Sequence, residues 1–141
     1  MKYLFSLIGS LVFLVSAFAV DSDLTVTITN IKDVRGDIVV GIFDKKESFP
    51  NVGQQFKQVK FAVNADVVSG IISGLPDGEY GIAIFHDKNG DGVCDTNILG
   101  IPKEGFGFSN NIKPKFRAPS FKDVKFTKQG DMNMKIKLLY F

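Results

Sequence analysis

Leu24-Thr25-Val26-Thr27-Ile28-Thr29 alternates apolar and polar side chains strictly. That period of two, in residues that favour a pleated surface, predicts a half-buried β-strand. A turn over 33–37 separates it from 38–44, where Ile, Val and Phe run almost unbroken; this reads as a more fully buried strand, and the two together as a hairpin. The loop 45–53 carries Phe49-Pro50 at its tip, with Phe49 expected to tuck under the sheet. Strands follow over 55–63 and 66–72. The turn Gly74-Leu75-Pro76-Asp77-Gly78 leads into a central strand over 80–86. Tyr80, Ile82 and Ile84 share one of its faces, Ala83 and Phe85 the other, so both faces are apolar and the strand belongs mid-core. Tyr80, just past the turn, is placed to bond back to it through its hydroxyl. A strand over 121–127, a turn over 128–131 and a last strand over 132–141 complete the chain. In the last, Met132, Met134, Ile136 and Leu138 alternate with Asn133, Lys135 and Lys137, the pattern of an antiparallel sheet with one wet face. The prediction is an all-β antiparallel sandwich of about seven strands, with a long aperiodic loop, 87–118, after the central strand. The strands are too short and too charged for a membrane barrel.

The first residues follow another pattern. Met1-Lys2 is basic, 3–18 is apolar apart from Ser6, Gly9, Ser10 and Ser16, and Ala17-Phe18-Ala19 is a small-x-small site. A cleavable signal peptide over 1–19 is expected, with a single domain over 20–141. The apolar run is short for a span of about 20 residues, so no stable membrane anchor is expected after cleavage. No cysteine stands at the cut to take a lipid. The expected location is the periplasm or the exterior. Roughly 120 residues suffice for one core and not for two. Cys94 is the single cysteine, which leaves no internal disulfide; it reads as a small buried hydrophobe.

The net charge of +2 says little, but its distribution is uneven. Beyond Gly100 lie Lys103, Lys113, Lys115, Arg117, Lys122, Lys125, Lys128, Lys135 and Lys137 against Glu104, Asp123 and Asp131. Solvated strand faces account for such a bias. It also offers a weak surface for acidic glycans or lipid headgroups. Nucleic acid is not an expected partner, since no motif for it is present. An envelope protein or a glycan is, for a monomer.

One stretch has the spacing of specific chemistry. In His86-Asp87-Lys88-Asn89-Gly90-Asp91-Gly92-Val93-Cys94-Asp95, oxygen-bearing side chains recur at Asp87, Asn89 and Asp91, with Gly92 next and Asp95 at the ninth position. This is the first half of a D-x-[DN]-x-[DN]-G calcium loop. Calcium takes about six to eight oxygens at roughly 2.3–2.6 Å, and alternation aims several at one point, with the Val93 carbonyl turned inward after the glycine. The twelfth position, where a bidentate Glu belongs, is Ile98, so Glu104 is the candidate to supply the missing carboxylate. Expected metal ligands are therefore Asp87, Asn89, Asp91, Val93, Asp95 and Glu104, in a weak site on the order of 10⁻⁴–10⁻³ M. Magnesium, with its octahedral demand, fits less well. The plainer alternative is a polar turn whose Asp and Asn bond their own backbone. His86 is expected to bond a neighbouring backbone group or carboxylate and so orient the loop. Phe106 and Phe108, interleaved with glycines that allow unusual backbone angles, either form a ligand platform or, as favoured, plug one end of the core.

Gly74-Leu75-Pro76-x-Gly78-x-Tyr80, Phe85-His86-Asp87-x-Asn89-Gly90-Asp91, Leu99-Gly100-Ile101-Pro102-x-Glu104-Gly105-Phe106-Gly107-Phe108-Ser109-Asn110 and Pro119-x-Phe121-x-Asp123 together resemble an exported bacterial family known as domain of unknown function 2141. The resemblance covers the whole mature chain, and its central block is specific. Val124 stands where that family commonly has Ala. The resemblance implies an immunoglobulin-like or transthyretin-like β-sandwich and carries no activity with it.

Three functions are open to this sequence. The first is a calcium-stabilised binding or accessory module of the cell envelope. The second is a hydrolase, metal-assisted or carboxylate-based, using His86, Asp87, Asp91 and Glu104. No complete catalytic constellation supports it: His86 is the single histidine, no nucleophile elbow is present, and the several histidines and C-terminal tail of the transthyretin-like purine hydrolase are missing. The expectation is that the chain is not an enzyme. The third is a structural domain without metal.

Overall fold

The computed structural model describes residues 22–141; the expected signal peptide and its cleavage site lie outside them. Among these residues, eight strands form two sheets. The smaller has the order β4-β1-β8, from Val68–Leu75, Ser22–Thr29 and Met132–Lys137. The larger has the order β3-β2-β5-β6, from Lys57–Ala62, Asp37–Phe43, Gly78–Asp87 and Phe106–Phe108. A short strand β7, Phe126–Lys128, pairs with the beginning of β5. The predicted β-sandwich is the fold.

Alternation builds the layer between the sheets. Leu24, Val26 and Ile28 of β1 are fully buried while the threonines between them are half-buried. They meet Ile38, Val40 and Ile42 of β2, Tyr80, Ile82 and Ile84 of β5, and Ile136 of β8 in one apolar cluster. A second cluster lies on the opposite face of the larger sheet: Phe43, Phe49, Phe106, Phe108 and Val124, with Phe85 and Phe121 against it. Two clusters on two faces explain why β5 is apolar on both. The Tyr80 hydroxyl donates to the Pro76 carbonyl at 2.9 Å, closing the turn as its position predicted.

Four expectations are corrected. β1 and β2 do not form a hairpin: β1 pairs with β4 and β8, β2 with β3 and β5. The connection between them passes from one sheet to the other, with Asn30 and Gly36 at positive φ, because each strand has its own apolar face to set against the other's. The predicted strand over 121–127 begins as one helical turn, α1, Phe121–Val124. Ser120-x-x-Asp123 is the reason: the Asp123 carboxylate accepts the Ser120 N–H at 2.9 Å and its hydroxyl at 2.6 Å, in the manner of a capping box. Lys128 belongs to no exposed basic face. It is fully buried, and its ammonium donates to the Ser22 hydroxyl and the Gly130 carbonyl beside Asp77. One pairing also departs from the antiparallel pattern, since β8 runs parallel to β1.

Candidate functional site

β5 ends at Asp87, and the chain then turns sharply enough to need glycine at Gly90 (φ 77°) and Gly92 (φ 78°). Asp87 is fully buried. One of its carboxylate oxygens accepts the Gly90 N–H at 2.8 Å, the other the Gly92 N–H at 2.9 Å. The Asn89 side-chain oxygen accepts the Asp91 N–H at 3.2 Å, and the Asp91 carboxylate accepts the Val93 N–H at 2.9 Å. Glu104, also buried, accepts the Lys88 N–H at 2.9 Å and the Asp95 N–H at 3.2 Å. It thus ties the two ends of the loop together. Buried carboxylates are tolerated where N–H groups satisfy them, and here each has two.

His86 braces the neighbouring loop. Its ring is fully buried and its Nε2 lies 2.7 Å from the Arg35 carbonyl oxygen. A carbonyl only accepts, so Nε2 carries the hydrogen. Among the described residues, Nδ1 of His86 is the buried side-chain polar atom left without a partner. The 33–36 turn is pressed onto this junction: a Cβ on Gly36 would lie 2.2 Å from the Asp87 carbonyl oxygen. His86 therefore orients the loop through a backbone carbonyl, one of the two expected partners.

The six expected ligand residues divide into three groups. Asp87 and Glu104 point at backbone amides inside the loop. Asn89, Asp91 and Asp95 gather at its rim, with the Asn89 amide nitrogen 3.0 Å from an Asp91 oxygen and 3.1 Å from an Asp95 oxygen. Val93 contributes its N–H to Asp91, and its side chain is exposed. Among the described residues, no three His, Cys, Asp or Glu side chains converge as a metal cage. Beside the rim is a polar cavity of about 280 Å³ lined by Arg35, Lys88, Asn89, Asp95, Lys103 and Glu104. Cys94 does not line this cavity; it lies at the edge of an apolar one on the outer face of the larger sheet. Burial, with Glu104 and Asp95 close by, pushes its thiol up to about 11, so at neutral pH it is a protonated, weakly nucleophilic group.

The loop's far end delivers Gly105-Phe106-Gly107-Phe108. These glycines do not take unusual backbone angles; neither has positive φ. Close approach is what requires them. A Cβ on Gly105 would lie 2.7 Å from the Tyr140 ring, and one on Gly107 2.9 Å from Ile136 Cγ2. With the glycines turned to the core, Phe106 and Phe108 turn outward onto the second cluster. Phe106 and Phe108 stack edge to face at 6.0 Å, Phe49 joins Phe108 at 6.3 Å, and Phe141 stacks on Phe106 at 5.3 Å. Ser109 locks this edge to the sheet, accepting the Ile82 N–H at 2.9 Å and donating to the Val124 carbonyl.

The aromatic layer does not close. A cavity of about 190 Å³ opens between Val39, Phe43, Ala83, Phe85, Phe106 and Phe108, with Cys94 and Gln58 at its edge. Beyond Phe106, Phe108 and Pro102, which line both, is a cleft of about 460 Å³ walled by Leu99, Ile101, Phe116 and Phe141, with Lys115 and Arg117 beside them. The two aromatics thus plug this end of the fold, as favoured, and, buried themselves, they also floor an open apolar concavity. Sequence reading missed Phe43, Phe121, Ser109 and Val124 as members of this face. The available signal was that β2, like β5, has apolar residues on both sides.

No curated protein and no solved structure matches this chain. The family model described as an uncharacterized protein conserved in bacteria, DUF2141, matches residues 26–137, a span that runs from β1 to the end of β8 and includes the braced loop and the aromatic edge. The chain belongs to the DUF2141 family.

Proposed function

We propose that this protein is an exported, non-enzymatic binding module of the bacterial envelope that receives the apolar part of a small amphipathic ligand on the outer face of its larger sheet. One observation carries the reading. The face turned away from the main core is lined by aromatic and aliphatic side chains and holds an open concavity in place of a complete lid. Ligand sites are concave, largely apolar and preformed, with a few polar groups at the edge, and Gln58, Lys115 and Arg117 supply those. The 87–104 loop serves as the frame, since its carboxylates are engaged with its own amides. The same engagement, with a fully buried histidine, favours a binding role over hydrolysis. The test is titration of the purified chain with a fluorescent fatty acid. Saturable binding that Ala83→Phe abolishes without lowering the melting temperature is expected; no binding by the wild-type chain overturns the reading.

Calcium remains a second reading because of the Asn89 rim. Two carboxylate oxygens already converge on the Asn89 amide, and amide orientation there is set by the hydrogen-bond network. A cation bound by Asp91 and Asp95 would turn the Asn89 oxygen toward itself. Such a site is weak and stabilises the frame without making the ligand face.

A further inference from the structure

We infer that the cleft beside Phe106 docks this protein onto the surface of a bilayer that carries anionic lipid. The inference rests on the binding-module reading and adds where the ligand is met. Two loop tips hold large apolar side chains in water. In the first, the Asn97 side-chain oxygen accepts the Leu99 N–H at 2.9 Å and the Ile101 N–H at 3.0 Å. The Asn97 backbone exchanges bonds with Ile101 and Gly100 at 2.8 and 2.9 Å, with Gly100 at φ 76°. This firm turn leaves Ile98 fully exposed and Leu99 largely so. In the second, Phe116 is fully exposed between Pro114 and Pro119. Leu99, Phe116 and Phe141 wall the same cleft.

Charge selects the occupant. Lys115 and Arg117 carry the charged side chains lining this cleft, both positive, and Lys113 is exposed just before them. The one carboxylate between residues 112 and 123 is Asp123, already held by Ser120. Preformed tips of Ile, Leu and Phe, flanked by long cationic side chains, match a bilayer interface. The apolar groups enter below the headgroups while the cations stay at phosphate level. Lys128 takes no part, because it is buried on β7.

The experiment is co-sedimentation of the mature chain with vesicles of phosphatidylcholine, with and without phosphatidylglycerol, beside the fatty-acid titration. Binding to the anionic vesicles alone, weakened by salt, is expected. A basic side chain near such a surface strengthens partition about fivefold, so Lys115→Gln with Arg117→Gln weakens it on the order of 25-fold. Leu99→Ser with Phe116→Ser abolishes it. All four positions are exposed, so the melting temperature is expected to hold, which separates lost docking from lost folding. Fatty-acid binding without vesicle binding overturns the membrane inference and leaves the binding module standing. Loss of both overturns both. Vesicle binding that ignores phosphatidylglycerol, or that survives the Lys115 and Arg117 replacements, overturns the inference. So does capture of polyglutamate in place of vesicles, which assigns the face to an acidic protein.

Discussion

The carboxylate of Glu104 accepts the backbone N–H of Lys88 at 2.9 Å across sixteen residues of chain, and so closes the loop that the sequence presents as half of a calcium site. Glu104→Gln replaces one acceptor oxygen with a donor and leaves one partly buried N–H facing an NH₂ group. An unsatisfied buried donor destabilises by about 1–3 kcal/mol, and one that water partly reaches by the lower part of that range. Urea unfolding is expected to show a loss of that size at unchanged m-value, while Asp91→Asn, on the exposed rim, stays within about 0.5 kcal/mol of wild type without calcium.

Cys94 provides a pH readout of the same frame. Its thiol is raised from 9.0 to about 11 by burial first, then by Glu104 and Asp95. The folded state thus favours the protonated form. That contribution to stability is complete below pH 9, and it is lost as pH rises toward 11. Alkylation of the folded chain by iodoacetamide is expected to accelerate with a midpoint near 11, and Glu104→Gln is expected to move the midpoint down. A midpoint near 9 in the wild-type chain contradicts the burial.

Gly107 is required by space. Ile136 Cγ2 lies 2.9 Å from where its Cβ would be, and the Lys137 carbonyl oxygen 3.3 Å. Gly107→Ala forces β6 away from β8, with an overpacking loss of about 1–3 kcal/mol, and loosens the floor of the ligand face. Fatty-acid affinity and thermal stability are both expected to fall. Gly53→Ala places its methyl group in open space but at φ 85°, so its cost is backbone strain in an exposed turn and not overpacking.

Calcium has a bounded effect. At a tenfold excess over the dissociation constant, one site stabilises the fold by about 1.4 kcal/mol. Melts in chelator and in millimolar calcium, with magnesium as control, are expected to differ by a few degrees, and Asp91→Asn or Asp95→Asn to erase the difference. Equal melting temperatures would leave the rim as a hydrogen-bonded turn.

Much of the fold was legible because alternation is a local property: Leu24, Val26 and Ile28 announce their face without reference to any partner. Partners were not legible. Which sheet takes β1 depends on Ile72 and Ile136, far along the chain, and so the hairpin with β2 was misplaced. Ser120-x-x-Asp123 was a readable cap overlooked beside an apolar run. In the loop, the alternation of Asp87, Asn89 and Asp91 before Gly92 announces oxygens gathered around a sharp turn, and that much the structure has. Whether an oxygen faces an ion or an amide is decided by where the backbone N–H groups of Gly90, Gly92, Lys88 and Asp95 come to rest, and spacing alone does not carry that. The glycines beside Phe106 showed the same limit: composition signalled an unusual need, and only the neighbouring Ile136 and Tyr140 showed it to be room.

The parallel pairing of β1 with β8 joins strands separated by 108 residues, as the bond from the Asp23 N–H to Asp131 also does. β1 is the middle strand of its sheet. A chain that emerges from its beginning therefore cannot finish that sheet until its closing segment arrives, and such long-range closure is slow. Until then one edge of β1 keeps a row of unpaired N–H and C=O groups. Completion of the domain is set by the last strand to appear, so loss of β8 would expose the first.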